Sequence, residues 1–204
     1  MLGAWIGNNT NGITPWEPII NKAHKSLDRW NKSHPTLQER KLIAQAIIDG
    51  YTQYLAMAQG MPSHIKSALT KIIRNFMWSD SSILKIALET LYHPIEEGGL
   101  NLLDLALRNE AIEIMWLKTY LKLNRTCPTW ATVMNILIDT AAPQDTNPKT
   151  RINTFLQIWK PHTRGVRTII SNNDIIKMLK IGCKHRLTFY TIRLAPHLKI
   201  QLPA

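Results

Sequence analysis

Two adjacent carboxylates, Glu96 and Glu97, stand directly before two glycines in the stretch HPIEEGGL. Paired acids beside a flexible corner are residue types that catalytic loops use, and two-metal phosphoryl chemistry needs carboxylates that converge on ions about 4 Å apart. Neighbouring side chains in a glycine turn point apart into water, and no Asp-Asp pair is present to complete such a site. We therefore interpret Glu96 to Gly99 as a turn rather than as a catalytic loop.

No other group of residues has the spacing of a catalytic or metal-binding motif. The chain lacks a glycine-rich phosphate loop, a Gly-x-Ser-x-Gly elbow, a His-Glu-x-x-His pattern and a Cys-x-x-Cys pair. Cys183 and His185 are close in sequence, but two ligands do not close a zinc site. The sequence therefore predicts no catalytic residue, no metal ion and no cofactor.

Positive charge is concentrated in the last quarter of the chain. The net charge is +11, yet residues 1–150 hold 15 Lys and Arg against 13 Asp and Glu. Residues 151–204 hold 10 Lys and Arg against one acid, Asp174. Local positive potential of this kind favours a polyanion such as RNA, DNA or an acidic membrane. A solvated basic surface with no dedicated partner has the same composition, so charge alone leaves both interpretations open.

The rest of the composition is that of a folded chain: 204 residues, 45% of them hydrophobic, are enough for a core. No run of about eighteen apolar residues is present, so we expect no membrane span and no membrane partner. The first residues, Met1 to Asn11, lack the layout of a secretory signal. Only Cys127 and Cys183 are present, which favours an intracellular, reducing compartment without distinguishing nucleus from cytoplasm.

Two capping boxes, Thr14 to Glu17 and Thr36 to Glu39, predict where the first two helices begin. The first helix is expected from about Pro15 to about Ser33, with Ile20, Ala23, Leu27 and Trp30 recurring at helical spacing. The His34-Pro35 step ends it. The second is expected to end near Gly60. Its inward face is predicted from helical spacing as Ile43, Ala46, Ile47, Gly50, Tyr54 and Met57.

A third helix, which starts at Met61-Pro62, bears on function. Lys66, Lys71 and Arg74 lie on its polar side, with no acid between Pro62 and Ser79. These cations form either the solvated face of an ordinary amphipathic helix or a face directed toward phosphates. The apolar residues recur at helical spacing on the other side: Ile65, Leu69, Ile72, Ile73 and Phe76.

The second half of the chain is predicted to be helical as well. Asp104 is expected to cap a helix to about Leu123, Pro128 to open one through about Ile138, and Ser171 to Asp174 to open a short one. Ile83 to Tyr92 stays open between helix and strand. The helix after Asp104 is predicted to turn inward Leu107, Ala111, Ile114, Met115, Leu117 and Leu121.

The stretch TAAPQDTNPKT, from Thr140 to Thr150, contains two prolines and few apolar residues, so it predicts a linker. The predicted fold class is mainly α. A helical bundle covers residues 1–139, the linker covers 140–150, and a smaller basic, mostly helical C-terminal region covers 151–204. The candidate phosphate-binding cations of that region are Arg164, Arg167, Lys177, Lys180, Lys184 and Arg186.

Four segments stand in a distinctive order: LGAWIG, LQERKLIAQ, a Pro-led helix ending in FMW, and HPIEEGGLNL with Asn-x-Ala and Trp after it. This order resembles the region just after the polymerase palm in non-LTR (LINE-type) retrotransposon reverse transcriptases. The resemblance covers about residues 2–123. The matching positions are Leu2, Gly3, Arg40, Leu42, Ile43, Pro62, Phe76, Trp78, Pro94, Gly98, Gly99, Leu100, Asn109, Ala111 and Trp116.

The resemblance implies that the chain contains a thumb-like helical module and the start of the C-terminal region that follows the thumb. It also implies that the palm is absent from this chain. In that family the metal-binding acids of the polymerase lie upstream of the Leu-Gly segment, so we expect no polymerase activity from this chain by itself. The implied partners are the backbone of an RNA or DNA template–primer duplex and a palm-containing polymerase portion. The corner glycines, Gly98 and Gly99, are expected to supply positive φ angles in this module.

A second hypothesis belongs to a different class of protein. The chain would be a structural or interaction protein, or a decayed retroelement remnant without a selected function, and its basic C-terminal region would be incidental. Salt-dependent binding to a duplex distinguishes the two hypotheses, because phosphate contacts release condensed counterions.

Overall fold

Helices make up nearly all of the regular structure in the residues that the computed structural model describes, which are 15–78, 86–121, 128–140 and 173–185. No strand occurs in these ranges, and the predicted fold class, mainly α, is confirmed. A 3₁₀ turn at Ile95–Glu97 lies between the fourth and fifth helices. The helices are α1 (Glu17–Asn31), α2 (Leu37–Gln59), α3 (Ser63–Met77), α4 (Leu88–Tyr92), α5 (Leu105–Tyr120), α6 (Thr129–Thr140) and α7 (Asn173–Lys184).

The chain forms two compact units, Met1–Asn109 and Glu110–Ala204. The first contains α1 to α4 and the start of α5, and the second contains the rest of α5 with α6 and α7. Residues 141–150 of the predicted linker lie outside the described residues, so the predicted division at 140–150 stays a prediction.

α1 begins later than its capping motif predicted. Trp16 occupies the N-cap position without a capping side-chain hydrogen bond, and Pro18 lies in the first turn, where its missing N–H is no loss. The expected cap, Thr14, lies outside the described residues. Trp16 is only 1% exposed, so the buried indole anchors this end of the helix.

Thr36 and Glu39 cap α2 as predicted. The Thr36 backbone N–H donates to Glu39 Oε2 at 2.7 Å, and the Glu39 N–H donates to Thr36 Oγ1 at 3.4 Å. The backbone hydrogen bond, together with one from the Thr36 hydroxyl, lowers the pKa of Glu39. At the other end Gly60 terminates the helix with a φ of 69°, a value that suits glycine.

Arg40 joins three segments of the first unit. Its Nη1 donates to Asn31 Oδ1 at 2.8 Å and to the Phe76 carbonyl at 2.5 Å, while Nε donates to the Pro35 carbonyl at 3.0 Å. The guanidinium also lies over the Phe76 ring, 5.2 Å from its centroid. Arg40 is 6% exposed. The end of α1, the loop before α2 and the end of α3 are therefore held by one buried side chain.

The predicted inward face of α2 is wrong. Tyr54 and Met57 are 49% and 46% exposed, and Ala46 and Gly50 also lie on the surface. α2 carries apolar residues on every side, so helical spacing alone does not select the side that faces α1 and α3. The residues that the structure buries are Arg40, Ala44, Ile48, Thr52, Leu55 and Ala56.

The apolar face predicted for α3 is confirmed. Its buried residues include four of the five expected positions, and the fifth, Ile72, is half-buried. α3 packs against both α1 and α2. The pattern identified this face because polar residues occupy the other side of the helix.

Gly98 and Gly99 serve the corner in different ways. Gly98 ends the 3₁₀ turn with a φ of 81°, as the sequence predicted. Gly99 does not have the expected positive φ. A Cβ atom on Gly99 would instead overlap the backbone of His93. This close approach lets the chain turn back on α4, where the Leu102 N–H donates to the Leu91 carbonyl at 2.9 Å.

Asp104 caps α5 as predicted, since its Oδ1 accepts from the Ala106 N–H at 2.7 Å. Arg108 then ties α5 to α2: its Nη1 donates to Asp49 Oδ1 at 2.9 Å and to Thr52 Oγ1 at 2.8 Å. The inward face predicted for α5 is wrong at three of its six positions, since Leu107, Ala111 and Met115 are exposed. Leu117 is buried, and Ile114 and Leu121 are half-buried.

An aromatic cluster joins α5 to α6 within the second unit. The Trp116 and Trp130 rings meet edge to face with centroids 5.4 Å apart, and Tyr120 stacks on Trp130 at 6.1 Å. The Tyr120 hydroxyl donates to Asn135 Oδ1 at 2.5 Å. α6 follows Pro128 directly, as predicted.

Replacement of Arg40 by Met is expected to destabilise the protein by about 3 kcal/mol, because three acceptors would lose a charged donor in a buried setting. Urea unfolding of R40M measures this loss. The matched control is K41M, at a half-buried position without these bonds, which should change stability by less than about 0.5 kcal/mol. A loss for R40M no larger than that of the control would contradict this role.

Two glycine substitutions should have opposite effects on stability. Gly50 lies within α2 with open space around its Cβ position, so G50A is expected to stabilise the protein by about 0.5–1 kcal/mol. G99A should destabilise it by roughly 2 kcal/mol or more, since the His93 backbone must move. Thermal unfolding of both variants tests the pair, and a stabilised G99A would show that the corner is not tight.

Candidate nucleic-acid interface

The three cations predicted on α3 do not lie in one line. Lys71 is exposed, whereas Lys66 and Arg74 are half-buried. At about 100° per residue, Lys66 and Lys71 are separated by roughly 140° around the helix axis. A single phosphate strand passing over α3 therefore contacts part of this set.

Arg74 lies in a region that also holds negative charge. Burial, together with the charges of Asp104 and Glu89, raises the pKa of Tyr92 to about 12, and the positive charge of Arg74 partly opposes this rise. A phosphate that approaches Arg74 therefore also meets the field of these two carboxylates.

The α7 cations differ in how far their charge is available. Lys180 is exposed and Lys177 is half-buried. The Lys184 ammonium donates to Glu110 Oε2 at 2.6 Å, and His185 binds the other oxygen of the same carboxylate. Lys184 is exposed as well, but Glu110 compensates its charge, so Lys180 is the exposed α7 cation outside this ion pair.

Three of the predicted site residues, Arg164, Arg167 and Arg186, lie outside the described residues. Their role in phosphate binding stays a prediction.

Four further cations on and just after α1 form a line that the sequence reasoning missed. Lys22, Lys25, Arg29 and Lys32 are all exposed. Lys32 continues the helical backbone conformation, with φ −64° and ψ −21°. Their spacing of three, four and three residues confines them to roughly 80° around the helix axis. We call these four residues the α1 ridge.

The signal for the α1 ridge is present in the sequence but is easily overlooked. α1 also contains Glu17 and Asp28, so a search for acid-free helices selects α3 instead. Asp28 lies at the edge of the ridge, between Lys25 and Lys32 in the chain, and accepts from His24 at 2.8 Å. Applying helical spacing to cations, as is routine for apolar residues, would have identified the line.

Several carboxylates in the described part of the chain have partners within the fold. Asp104 caps α5, and Glu39 caps α2 while its side chain stays exposed. Asp49 and Glu110 form ion pairs with Arg108 and Lys184.

Other carboxylates share the surface with the cations. Glu17, Glu89 and Glu96 are exposed, as are the α1 ridge, Lys71 and Lys180.

Neither a metal cluster nor a membrane span is found where the structure is described. No three His, Cys, Asp or Glu residues come together there in a way that could hold an ion. No described helix is both long and apolar enough to cross a bilayer.

No family model, no curated protein and no solved structure matches this chain.

The Glu110 contacts predict a pH-dependent contribution to stability. Hydrogen bonds from Lys184, then from His185, lower the pKa of Glu110 below its ordinary value of 4.5. Its stabilisation is therefore fully present above pH 4.5 and is lost as pH falls through the lower folded-state pKa.

Thermal unfolding of E110Q and of the parent chain between about pH 3 and 6 tests this contribution. The difference between their midpoints should be largest near pH 6 and should shrink toward pH 3. The control is E96Q, at an exposed carboxylate on the corner, whose difference from the parent should stay small throughout. A constant E110Q difference would show that the carboxylate charge is not involved.

Proposed function

We propose that this chain is a non-catalytic nucleic-acid-binding module that holds the backbone of an RNA or DNA duplex through basic helix faces. The observation that carries the proposal is that several cations, among them Lys71, Lys180 and the four of the α1 ridge, lie exposed on helix surfaces. Such a surface attracts phosphates irrespective of base sequence. The strongly basic residues 151–204 add to the same potential.

The resemblance to the post-palm region of non-LTR retrotransposon reverse transcriptases supports this proposal. Three of the matching positions have structural roles in the helical fold. Arg40 joins three segments, Gly98 adopts the positive φ that ends the 3₁₀ turn, and Gly99 lets the backbone pass close to His93. The matched motif thus describes a scaffold rather than a set of reacting groups. A thumb-like module needs such a scaffold to present cations to a duplex.

In this proposal the chain works with a palm-containing polymerase portion that supplies the chemistry. The module would bind the phosphate backbone and hold the duplex in position, and the partner would supply the metal-binding acids. Contacts to phosphate fix the register of a duplex without reading its sequence, so affinity should be nearly independent of base composition.

Duplex binding over a salt series tests the proposal. Each neutralised phosphate contributes roughly −0.9 to the slope of log affinity against log salt. Replacing Arg164, Arg167, Lys177, Lys180 and Arg186 with Gln should therefore flatten the slope by about four units. Replacing Lys66, Lys71 and Arg74 with Gln should change it by at most about two, since these three do not form one line.

The matched control is K41Q with K118Q, which removes two cations from positions outside the proposed surfaces. Its slope should equal that of the parent chain. A full slope in the five-residue variant would exclude the C-terminal cations, and the absence of duplex binding even at low salt would reject the function as a whole.

An interaction protein is the second candidate, and one observation favours it. α2 leaves an uncharged surface that includes Leu42 (55% exposed), Tyr54 and Met57, and patches of this kind mark contact sites. Light scattering over a concentration series, with an L42Q variant as comparison, tests self-association through this surface. Concentration-dependent association that L42Q abolishes, together with no nucleic-acid binding, would select this candidate.

A further inference from the structure

We propose that the α1 ridge, Lys22, Lys25, Arg29 and Lys32, binds the phosphates of a single nucleic-acid strand while the indole of Trp30, on the flank of the same helix, stacks on a base. This inference rests on the proposed nucleic-acid binding, and it assigns a surface and a strand type that the duplex proposal does not contain.

The ridge has the length and the uniform charge that a strand requires. From Lys22 to Lys32 it extends about 15 Å at 1.5 Å per residue, which matches a run of neighbouring phosphates. Asp28 lies beside the ridge, three residues after Lys25 and four before Lys32, and is paired with His24 at 2.8 Å. Phosphates at that end of the ridge therefore approach a carboxylate that already has a partner.

Neighbouring elements hold the ridge in position. The Lys22 ammonium lies 4.4 Å from the centroid of the Tyr51 ring, and the Tyr51 hydroxyl is 3.3 Å from Ser26 Oγ. These contacts fix α1 against α2 on one flank. The opposite side of α1 buries Ala23 and Leu27 in the core, so the cations have a rigid support.

The indole of Trp30 favours a single strand over a duplex. Helical spacing places it about 100° around the axis from Arg29, on the side of Ala23 and Leu27, yet the indole is 50% exposed. It therefore lies on the flank of α1 and not on the α1 ridge itself. Aromatic side chains beside a cationic track stack on unpaired bases, whose faces a duplex conceals. Ala23 and Leu27 are buried in the core, so α1 lacks the wide exposed apolar face that insertion into a bilayer needs.

Binding of the full chain to fluorescent oligodeoxythymidylate and oligouridylate tests the inference. The charge variant, K25Q with R29Q and K32Q, should flatten the salt slope on a single strand by about two units, at roughly 0.7 per contact. W30L should weaken single-strand binding by about tenfold and leave the slope and duplex affinity unchanged, while W30F should retain most of the affinity. K41Q with K118Q is the control, and far-UV spectra verify that each variant is folded.

The outcomes separate this inference from the proposed function. Unchanged single-strand binding in the charge variant, with duplex binding intact, overturns the α1 ridge and leaves the proposed function standing. An unaffected W30L overturns the stacking role and the single-strand assignment. Loss of all nucleic-acid binding in the parent chain rejects both proposals, and binding only to phosphatidylserine vesicles would assign the ridge to a membrane surface.

Discussion

The guanidinium of Arg40 is the interaction on which the first unit depends. Its acceptors include Asn31, the last residue of α1, and the carbonyl of Phe76 in the last turn of α3. The final carbonyls of a helix have no partner within it and carry partial negative charge, so a buried cation there satisfies groups that would otherwise be costly to desolvate. Lysine could not replace it, because the planar fork of arginine supplies bonds in several directions.

Arg108 repeats this use of arginine between α5 and α2. Its bonds to Asp49 and Thr52 place a cation and a carboxylate in a partly buried site, and the corner at Gly98 and Gly99 returns the chain to the position where this contact forms. The two arginines that contribute most to the framework are thus removed from the surface.

The surfaces that remain differ sharply in character. α1 presents lysines and an arginine in a line, while α2 presents Leu42, Tyr54 and Met57 with little charge. In our proposal the first surface takes phosphates, and the second is available to a protein partner such as a palm-containing portion. Both roles require only a rigid frame and accessible side chains, which agrees with a chain that encodes no catalytic motif.

Local signals in the sequence determined the helical class, the Thr36–Glu39 cap, the cap at Asp104 and the inward side of α3, because each depends on neighbouring residues or on one clear polar–apolar division. The inward sides of α2 and α5 were decided only by tertiary structure. α2 is apolar all round, and α5 turns Arg108 inward once Asp49 and Thr52 are there to receive it. Spacing along one helix cannot report a partner that lies 56 or more residues away.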